Sequence, residues 1–154
     1  TPNKSSTTNN GPLWIMNLDT LEARSLQIPF ITNWPFNAKW SPGGQSIVAV
    51  GLPPGKSFRC AEKELPADEV DSCQYQEVSI YTEDITNEDM QQVATGIRPV
   101  WSPDGSILAF LSISSGNPEI WTVRPDGSEL HQITDDGQWK WSYLAWVSSE
   151  EGAK

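Results

Sequence analysis

The sequence predicts an all-β protein made of repeated four-stranded antiparallel units. Three observations support this prediction. Two short segments alternate along the chain, each has the composition of a β-hairpin, and helical periodicity is absent outside part of residues 61–71. With 154 residues, of which 37% are hydrophobic, the chain has material for one compact domain rather than two.

The first repeated segment is "WSPDGSILAF" at residues 101–110, with a diverged copy, "WSPGGQSIVAV", at residues 40–50. Its proline presets one backbone angle, and Asp104 and Gly105 tolerate the positive φ that a tight turn needs. The apolar run after the turn predicts a buried strand. We align six residues with the earlier copy: Trp101, Ser102, Pro103, Gly105, Ile107 and Ala109 with Trp40, Ser41, Pro42, Gly44, Ile47 and Ala49.

The second repeated segment is "IWTVRPDGSELHQIT" at residues 120–134, which aligns without gaps to residues 80–94 and 13–27. It also has a strand, a turn and a returning strand. Two hairpins make four strands per repeat, and Trp101 and Trp146 are 45 residues apart. This period and this number of strands are typical of a β-propeller blade.

The combination of "WSPDGSILAF" with "IWTVRPDGSELHQIT" resembles the WD-like repeat of TolB-type β-propellers, which is also similar to the propellers of prolyl oligopeptidase relatives. The resemblance covers about residues 13–148 and implies a propeller fold. It implies little about activity, because propellers of this kind host many unrelated functions.

The strands add up to about three blade equivalents. The chain supplies strands three and four of one blade at residues 13–18 and 22–28, then two complete blades, then strand one of another at residues 143–147. Closed propellers need at least about four blades, so we expect an incomplete ring in one chain. The backbone groups of its edge strands would be unpaired and could pair with another strand. Three explanations stay open: a larger propeller, a homodimer that completes a ring, or completion by a different protein.

The chain divides into a linker, a propeller segment and a tail. Residues 1–11 are rich in Ser, Thr and Asn and predict a flexible linker. Residues 12–148 form the propeller segment, and residues 149–154 are a tail or the start of the next hairpin. One blade is longer than the other, which places an inserted loop at about residues 52–77, between its second and third strands.

Both cysteines, Cys60 and Cys73, lie in the inserted loop. A bridge between them would stabilise the fold by about 3 kcal/mol on the loop-entropy model. We favour a disulfide in an oxidising compartment, with free thiols as the alternative, and disfavour a metal pair because no histidine lies nearby. The disulfide predicts an extracytoplasmic protein (periplasmic, on the cell surface or secreted), with the N-terminal linker as a candidate tether.

The sequence predicts no catalytic residue, metal site or cofactor. Its one histidine, His131, aligns with Arg24 and Gln91, so we expect an outward-facing polar position. The sequence contains no GxSxG nucleophile elbow, no Gly-rich phosphate loop and no zinc-type His/Cys spacing. The aspartates of three Asp-Gly pairs are interpreted as turn residues: Asp104, Asp126 and Asp136.

Charge and hydropathy narrow the classes of partner. Ten basic and twenty acidic residues give a formal net charge of −10, which repels nucleic acid phosphates and anionic lipids. No run reaches the roughly 18 apolar residues that a membrane helix needs. We therefore expect a protein partner or self-association, with no nucleic acid and no membrane insertion of this segment.

The aromatic residues fall into two groups. Those that recur at equivalent positions are expected to pack blades: Trp14, Tyr81 and Trp121 at one position, and Trp40, Trp101 and Trp146 at another. The others lie in two long links between blades, on a propeller face where partners commonly bind. They are candidates for a peptide or sugar recognition surface, to which a lysine adds a donor: Trp34, Phe36, Trp139, Lys140, Trp141 and Tyr143. The alternative is that they pack between blades or at a subunit contact.

These patterns together predict a non-enzymatic scaffold of TolB-like blades, exported, that binds another protein or assembles with itself. Two alternatives remain: a carbohydrate-binding propeller module, and the propeller portion of a larger serine peptidase or sensor protein. Sugar-dependent quenching of tryptophan fluorescence would identify the first alternative, and a hydrolase domain in the parent gene would identify the peptidase.

Overall fold

The computed structural model describes residues 12–28, 38–53, 78–138, 140 and 143–147. Within those ranges no helix has the length and hydropathy that crossing a membrane requires. The strands form three antiparallel sheets, which confirms the predicted all-β class. In chain order they are β1 (Trp14–Met16), β2 (Ala23–Ser25), β3 (Ala38–Trp40), β4 (Ser46–Gly51), β5 (Ser79–Asp84), β6 (Asp89–Thr95), β7 (Ile97–Trp101), β8 (Leu108–Ser112), β9 (Glu119–Val123) and β10 (His131–Gln132).

Two of the sheets are four-stranded meanders. Strands β3 to β6 form one, which we name blade A, and β7 to β10 form the other, blade B; in both, each strand pairs with its neighbour in sequence. Strands β1 and β2 form a separate two-stranded sheet, which we name the first hairpin. The meander is the architecture predicted for a propeller blade.

The second repeated segment folds into the same hairpin three times. Residues at equivalent sequence positions face each other in every copy, which confirms the ungapped alignment. His131 lies exposed on β10 opposite Thr122, as expected for an outward-facing position. The equivalent pairs are Trp14 with Ser25, Tyr81 with Gln92, and Trp121 with Gln132.

The first repeated segment also forms a hairpin in both blades, with one correction to its alignment. Trp40 pairs with Ile47. Trp101 pairs with Leu108. The amide that follows Trp101 donates a 2.8 Å hydrogen bond to Ile107 O, which closes the turn at that residue. Ile107 therefore belongs to the turn, and its alignment with Ile47 is wrong by one residue. The alignment of Ala109 with Ala49 is wrong for the same reason, because Ala109 pairs with Val100 as Val48 pairs with Lys39.

Residues 143–147 are predicted as the first strand of another blade, and the structure assigns no strand to them. Trp146 nevertheless takes the place of a first-strand tryptophan, because its indole Nε1 donates to Val100 O of β7 over 3.3 Å. Strand assignment requires a ladder partner, and in blades A and B the first strand pairs with the second. The described part of the chain includes no second strand after residue 147, so the ladder is missing there.

Two apolar clusters join the three sheets. The larger contains residues of blades A and B, among them Val48 and Phe110. The smaller contains residues of the first hairpin segment and blade A, among them Leu26 and Ile47. Ile47 and Val48 belong to different clusters because successive side chains of a strand point to opposite faces. Blade A is therefore covered on both faces.

A single residue, Gly96, connects blade A to blade B. Strand β6 ends at Thr95 and β7 begins at Ile97. A Cβ atom on Gly96 would lie 2.4 Å from Leu111 O of β8 and 2.7 Å from the ring of Phe110. These distances are too short for a side chain in a close-packed interior. The junction between the blades therefore requires glycine.

Candidate binding face

Neighbouring blades are joined by a hydrogen bond from a tryptophan indole to a backbone carbonyl. Trp101 Nε1 of blade B donates to Lys39 O of blade A over 3.2 Å. Trp146 Nε1 donates to Val100 O of blade B over 3.3 Å. In both cases the acceptor directly precedes the tryptophan of the preceding blade. The bond is therefore a repeated feature, and we name it the indole link.

Trp40 occupies the same position as Trp101 but lacks the indole link. Both residues lie in the first strand of a blade and pair with the equivalent residue of the second strand. The side chain of Trp40 is 51% exposed, against 9% for Trp101. Across the described ranges, no hydrogen bond from the Trp40 indole is found. Trp40 thus presents both its ring and its N–H donor to the surroundings.

Trp40 forms an exposed apolar face together with the first hairpin. Trp14 and Met16 of β1 are both 61% exposed. We name Trp14, Met16 and Trp40 the open face. Two adjacent clefts of about 620 and 230 Å³ run along it, and Ile15, Met16 and Trp40 line both. Trp101 is buried, as expected of a recurring aromatic residue that packs blades, whereas Trp14 and Trp40 are mostly exposed.

One backbone edge of β1 lies beside these clefts. In blade A the third strand, β5, pairs with β4 on one side and with β6 on the other. Strand β9 is flanked in the same way by β8 and β10. Strand β1 holds the equivalent place in the first hairpin, and its one ladder within the described part of the chain is with β2. Among the residues that the structure describes, no strand pairs with the other edge of β1.

Glu83 fixes the first hairpin to blade A. This buried carboxylate of β5 accepts hydrogen bonds from Gln27 N over 2.8 Å and from Ile28 N over 3.3 Å, directly after β2. The Arg24 guanidinium lies 3.8 Å from Glu83 Oε1 and 3.6 Å from Glu88 Oε1. The first hairpin, which carries Trp14 and Met16 of the open face, is therefore fixed to blade A by a buried carboxylate.

A second buried carboxylate, Glu119, organises the loop after blade B. It accepts hydrogen bonds from Thr134 Oγ1 and from Gly137 N, and its Oε2 lies 2.9 Å from Lys140 Nζ. The Thr134 hydroxyl, followed by the Lys140 ammonium, holds the pKa of Glu119 below its ordinary range. The hydrogen bond to Asp136, followed by that to Glu119, raises the pKa of Lys140. The loop therefore stabilises both charges.

Two of the six recognition candidates lie in the described residues. Lys140 gives its ammonium hydrogens to three oxygen atoms, two of them from carboxylates, and its side chain is 18% exposed. The Tyr143 ring is well exposed, and the Arg98 guanidinium lies 5.2 Å from the ring centroid in a cation–π contact. The other candidates and both predicted disulfide partners lie outside the described residues: Trp34, Phe36, Trp139, Trp141, Cys60 and Cys73.

The aspartates of the Asp-Gly pairs shape turns. Asp104 Oδ1 accepts hydrogen bonds from Ser102 Oγ over 2.6 Å and from Ser106 N over 3.1 Å. These bonds, that of Ser102 first, lower the pKa of Asp104 to about 2. Asp126 and Asp136 each accept the amide hydrogen two residues further on. Among the described residues, no group of three or more His, Cys, Asp or Glu side chains is placed to hold a metal ion.

Comparison with known proteins relates the repeats to a family. No protein-family model matches the chain. The Tol-Pal system protein TolB of Syntrophus aciditrophicus is 51% identical over 37 residues, which are 24% of this chain and 8% of that protein. An uncharacterised protein of Agrobacterium fabrum is 44% identical over 43 residues, which are 28% of this chain and 15% of that protein.

The crystal structure of TolB from Acinetobacter baumannii matches the fold with a TM-score of 0.51 and 17% identity, over 83% of this chain and 27% of that chain. The chain resembles a TolB-type propeller. A structure of putative TolB from Agrobacterium tumefaciens gives a TM-score of 0.48 and 28% identity, over 76% of this chain and 36% of that one. The resemblance predicted from the repeats is thus confirmed, and the chain spans a minor part of the length of these relatives.

Sequence reasoning did not select the open face of this TolB-like chain. Trp14 and Trp40 recur in the repeats, and recurrence indicates a packing position without showing whether a neighbouring blade covers it. The one available signal is the strand order. Residues 13–28 supply a third and a fourth strand, and no described strand pairs with the third on its other side.

Proposed function

We propose that this TolB-like chain is a non-enzymatic, protein-binding scaffold that works outside the cytoplasm and binds its partner through the open face. The observation that carries the proposal is the exposure of Trp14, Met16 and Trp40 at positions that are otherwise built for contact between blades. Apolar and aromatic side chains beside an unpaired strand edge are suited to recognising a polypeptide.

The described acidic groups support a scaffold rather than an enzyme. Glu83 anchors the first hairpin, Glu119 anchors the loop after blade B, and Asp104 shapes a turn. Each therefore serves a structural contact, and none of the three lines the two clefts of the open face. A disulfide between Cys60 and Cys73 would fit the proposed location, because disulfides persist in oxidising compartments.

The relatives suggest the first partner to test. The Syntrophus aciditrophicus relative is named as a protein of the Tol-Pal system, so the Pal protein of the organism that encodes this chain is the natural probe. The strongly acidic composition favours a protein over a nucleic acid as partner.

The test compares two exposed apolar residues in different places. Biolayer interferometry would measure the affinity of purified Pal for the chain, for Met16→Asp on the open face and for Leu130→Asp, which lies just before β10 and is also half exposed. We expect Met16→Asp to weaken binding at least about tenfold, as for a central interface residue. Leu130→Asp should bind like the parent. Absence of binding, or equal losses in both variants, would contradict the proposal.

Self-association is a second form of the same proposal, in which a homodimer completes a ring. It is supported by exposed side chains at the other end of the described chain, Tyr143, Trp146 and Val147. Light scattering on size-exclusion chromatography would give twice the mass of the chain for a homodimer and the mass of one chain for a monomer.

Carbohydrate binding is the second candidate function, and the exposed Tyr143 ring favours it. Sugars stack on flat aromatic faces, so soluble oligosaccharides would change the tyrosine and tryptophan fluorescence if the ring took part. Saturable quenching that is lost in Tyr143→Ala would support this function, whereas a flat titration would count against it.

A further inference from the structure

We infer that Asp136 is a site of spontaneous backbone isomerisation, at which the amide nitrogen of Gly137 attacks the Asp136 side chain and isoaspartate forms. The co-reactant is water, and the reaction requires no enzyme. The sequence contains three Asp-Gly pairs, at residues 104–105, 126–127 and 136–137. All three share the reactive dipeptide, and the structure protects the third pair less well than the other two.

The reaction needs a free backbone amide and a neutral carboxyl group. The glycine nitrogen bonds to the aspartate Cγ, and one carboxyl oxygen leaves as water together with the carboxyl proton and the amide proton. The product is a five-membered imide. Water then opens the ring: attack at Cγ restores aspartate, and attack at the former backbone carbonyl gives isoaspartate, with one additional methylene in the main chain and unchanged mass. Glycine favours ring closure because it has no side chain beside the attacking nitrogen.

The attacking amides of the first two pairs are held within their own turns. Gly105 N donates to Ser102 O, and Gly127 N donates to Arg124 O, both over 2.9 Å. A further backbone hydrogen bond spans each turn and closes it. Freeing either amide therefore requires a hairpin turn to open.

The carboxylates of these two pairs are held in the same turns. Asp104 accepts hydrogen bonds from Ser102 Oγ and Ser106 N. Asp126 accepts them from the amide and the hydroxyl of Ser128. Hydrogen bonds of this kind favour the charged carboxylate, whose oxygen cannot leave as water. Both reactants are thus protected by local contacts.

The third pair lies outside every ladder of the described chain. Strand β10 ends at Gln132, before the pair. The Gly137 amide donates to Glu119 Oε1 over 3.2 Å, and Glu119 lies 18 residues earlier in the sequence. The acceptor is therefore a side chain of another element, and loss of this one contact frees the attacking nitrogen.

The Asp136 carboxylate depends on the same anchor. It accepts hydrogen bonds from Gln138 N over 3.0 Å and from the Lys140 ammonium. That ammonium lies 2.9 Å from Glu119 Oε2. Glu119 thus holds the attacking amide directly, and it also holds the cation that keeps the attacked carboxyl group charged. Local opening of this loop releases both reactants at once.

Ageing of the full chain tests the order of the three sites. The folded protein is incubated at neutral pH and physiological temperature, and isoaspartate is located by peptide mapping with electron-transfer fragmentation, which cleaves at the additional methylene. The chain unfolded in urea gives the intrinsic rate of each pair. The ratio of the unfolded to the folded rate is the protection. We expect the protection of Asp136 to be at least about tenfold smaller than that of Asp104 or Asp126, a difference of roughly one hydrogen bond.

Substitution of Glu119 separates the anchor from general stability. In Glu119→Ala, isoaspartate at position 136 should form about tenfold faster, because the Gly137 amide loses its acceptor. Glu119→Gln keeps a carbonyl acceptor and should accelerate the reaction less. Asp104 and Asp126 are internal controls in the same molecules and should react at the parent rate.

Three results would overturn the inference. The first is protection of Asp136 equal to or greater than that of the other two aspartates in the parent. The second is an unchanged rate at Asp136 in Glu119→Ala. The third is equal acceleration of all three pairs in that variant, which would assign the protection to global stability. If Glu119→Ala does not fold, the order of protection in the parent decides.

Discussion

Trp101 and Trp40 occupy the same position in consecutive blades, and their surroundings differ. Trp101 is 9% exposed and its indole donates to Lys39 O, whereas Trp40 is 51% exposed and has no such bond within the described residues. Their local sequences are nearly the same, since both precede Ser-Pro and a glycine turn. The burial of this tryptophan is therefore determined by the adjacent blade and not by its own hairpin.

Tyr81 and Trp14 repeat the comparison at the third strand. Tyr81 is fully buried between blade A and the first hairpin, whereas Trp14, its equivalent, is mostly exposed. Repeat proteins derive their stability from the contacts between units as well as from each unit. A residue at a repeated position thus stabilises the fold on a covered face, and on an open face it is a candidate for binding.

Alanine substitution at the two first-strand tryptophans should give the largest contrast. We expect Trp101→Ala to lower the free energy of unfolding by about 4 kcal/mol, because a large buried ring and an interblade hydrogen bond are both lost. Trp40→Ala should cost about 1.5 kcal/mol, since half of that ring is already exposed. Urea unfolding followed by circular dichroism measures both, and equal losses would show that the two environments do not differ.

Glycine substitution tests the junction of the blades. Gly96→Ala should lower the free energy of unfolding by about 3 kcal/mol, because its Cβ would lie 2.4 Å from Leu111 O. Gly43→Ala is the matched control, since a Cβ there would meet no atom within 4 Å. Its effect should stay within about 0.5 kcal/mol. A tolerated alanine at Gly96 would mean that the blades can move apart at little cost.

Removal of the Glu83 carboxylate tests the anchor of the open face. Glu83→Ala should lower the free energy of unfolding by about 2 kcal/mol, because the amides of Gln27 and Ile28 lose their acceptor. Hydrogen exchange should accelerate most in the first hairpin. Glu88→Ala, at the exposed partner of Arg24, should have little effect. Uniform acceleration across all sheets would argue against a local anchor.

Acid should reduce the stability of the loop after blade B. We expect this effect to be smaller than those of the substitutions above. The pKa of Glu119 is lowered from its ordinary value of 4.5, so its contribution to stability is fully present above pH 4.5 and is lost as pH falls through the lower folded value. Urea midpoints measured between about pH 6 and about pH 2 should fall less steeply in Glu119→Gln than in the parent. Parallel curves would assign the acid sensitivity to other groups, among them Asp104.

The fold was largely predictable because each repeat is defined by the residue types at its own turns and strands. The two segments place Pro, Asp and Gly at the turns and apolar residues in the strands, and the three second-segment hairpins share one register. Two details were not predictable in the same way. The position of Ile107 depends on which carbonyl closes the turn, and the missing ladder at residues 143–147 depends on a partner strand.

The candidate site was less predictable, for a physical reason. The sequence selected aromatic residues that do not recur, and of these the structure describes Tyr143. The open face consists of Trp14, Met16 and Trp40, and both tryptophans follow the repeat. Their exposure depends on what lies next to them in space, which a repeat pattern does not encode. Lys140 illustrates the same limit, because its carboxylate partners are apparent only in the folded loop.

The most direct test of this account is the solvent exchange of individual indole N–H groups, observed by NMR with ¹⁵N-tryptophan labelling and assigned by single Trp→Phe variants. If the indole link joins the blades, the Trp101 signal should exchange orders of magnitude more slowly than the Trp40 signal, because only the former is both buried and hydrogen-bonded. Equal protection of Trp101 and Trp40 in a monomer would contradict the central claim, since it would mean that the open face is already closed.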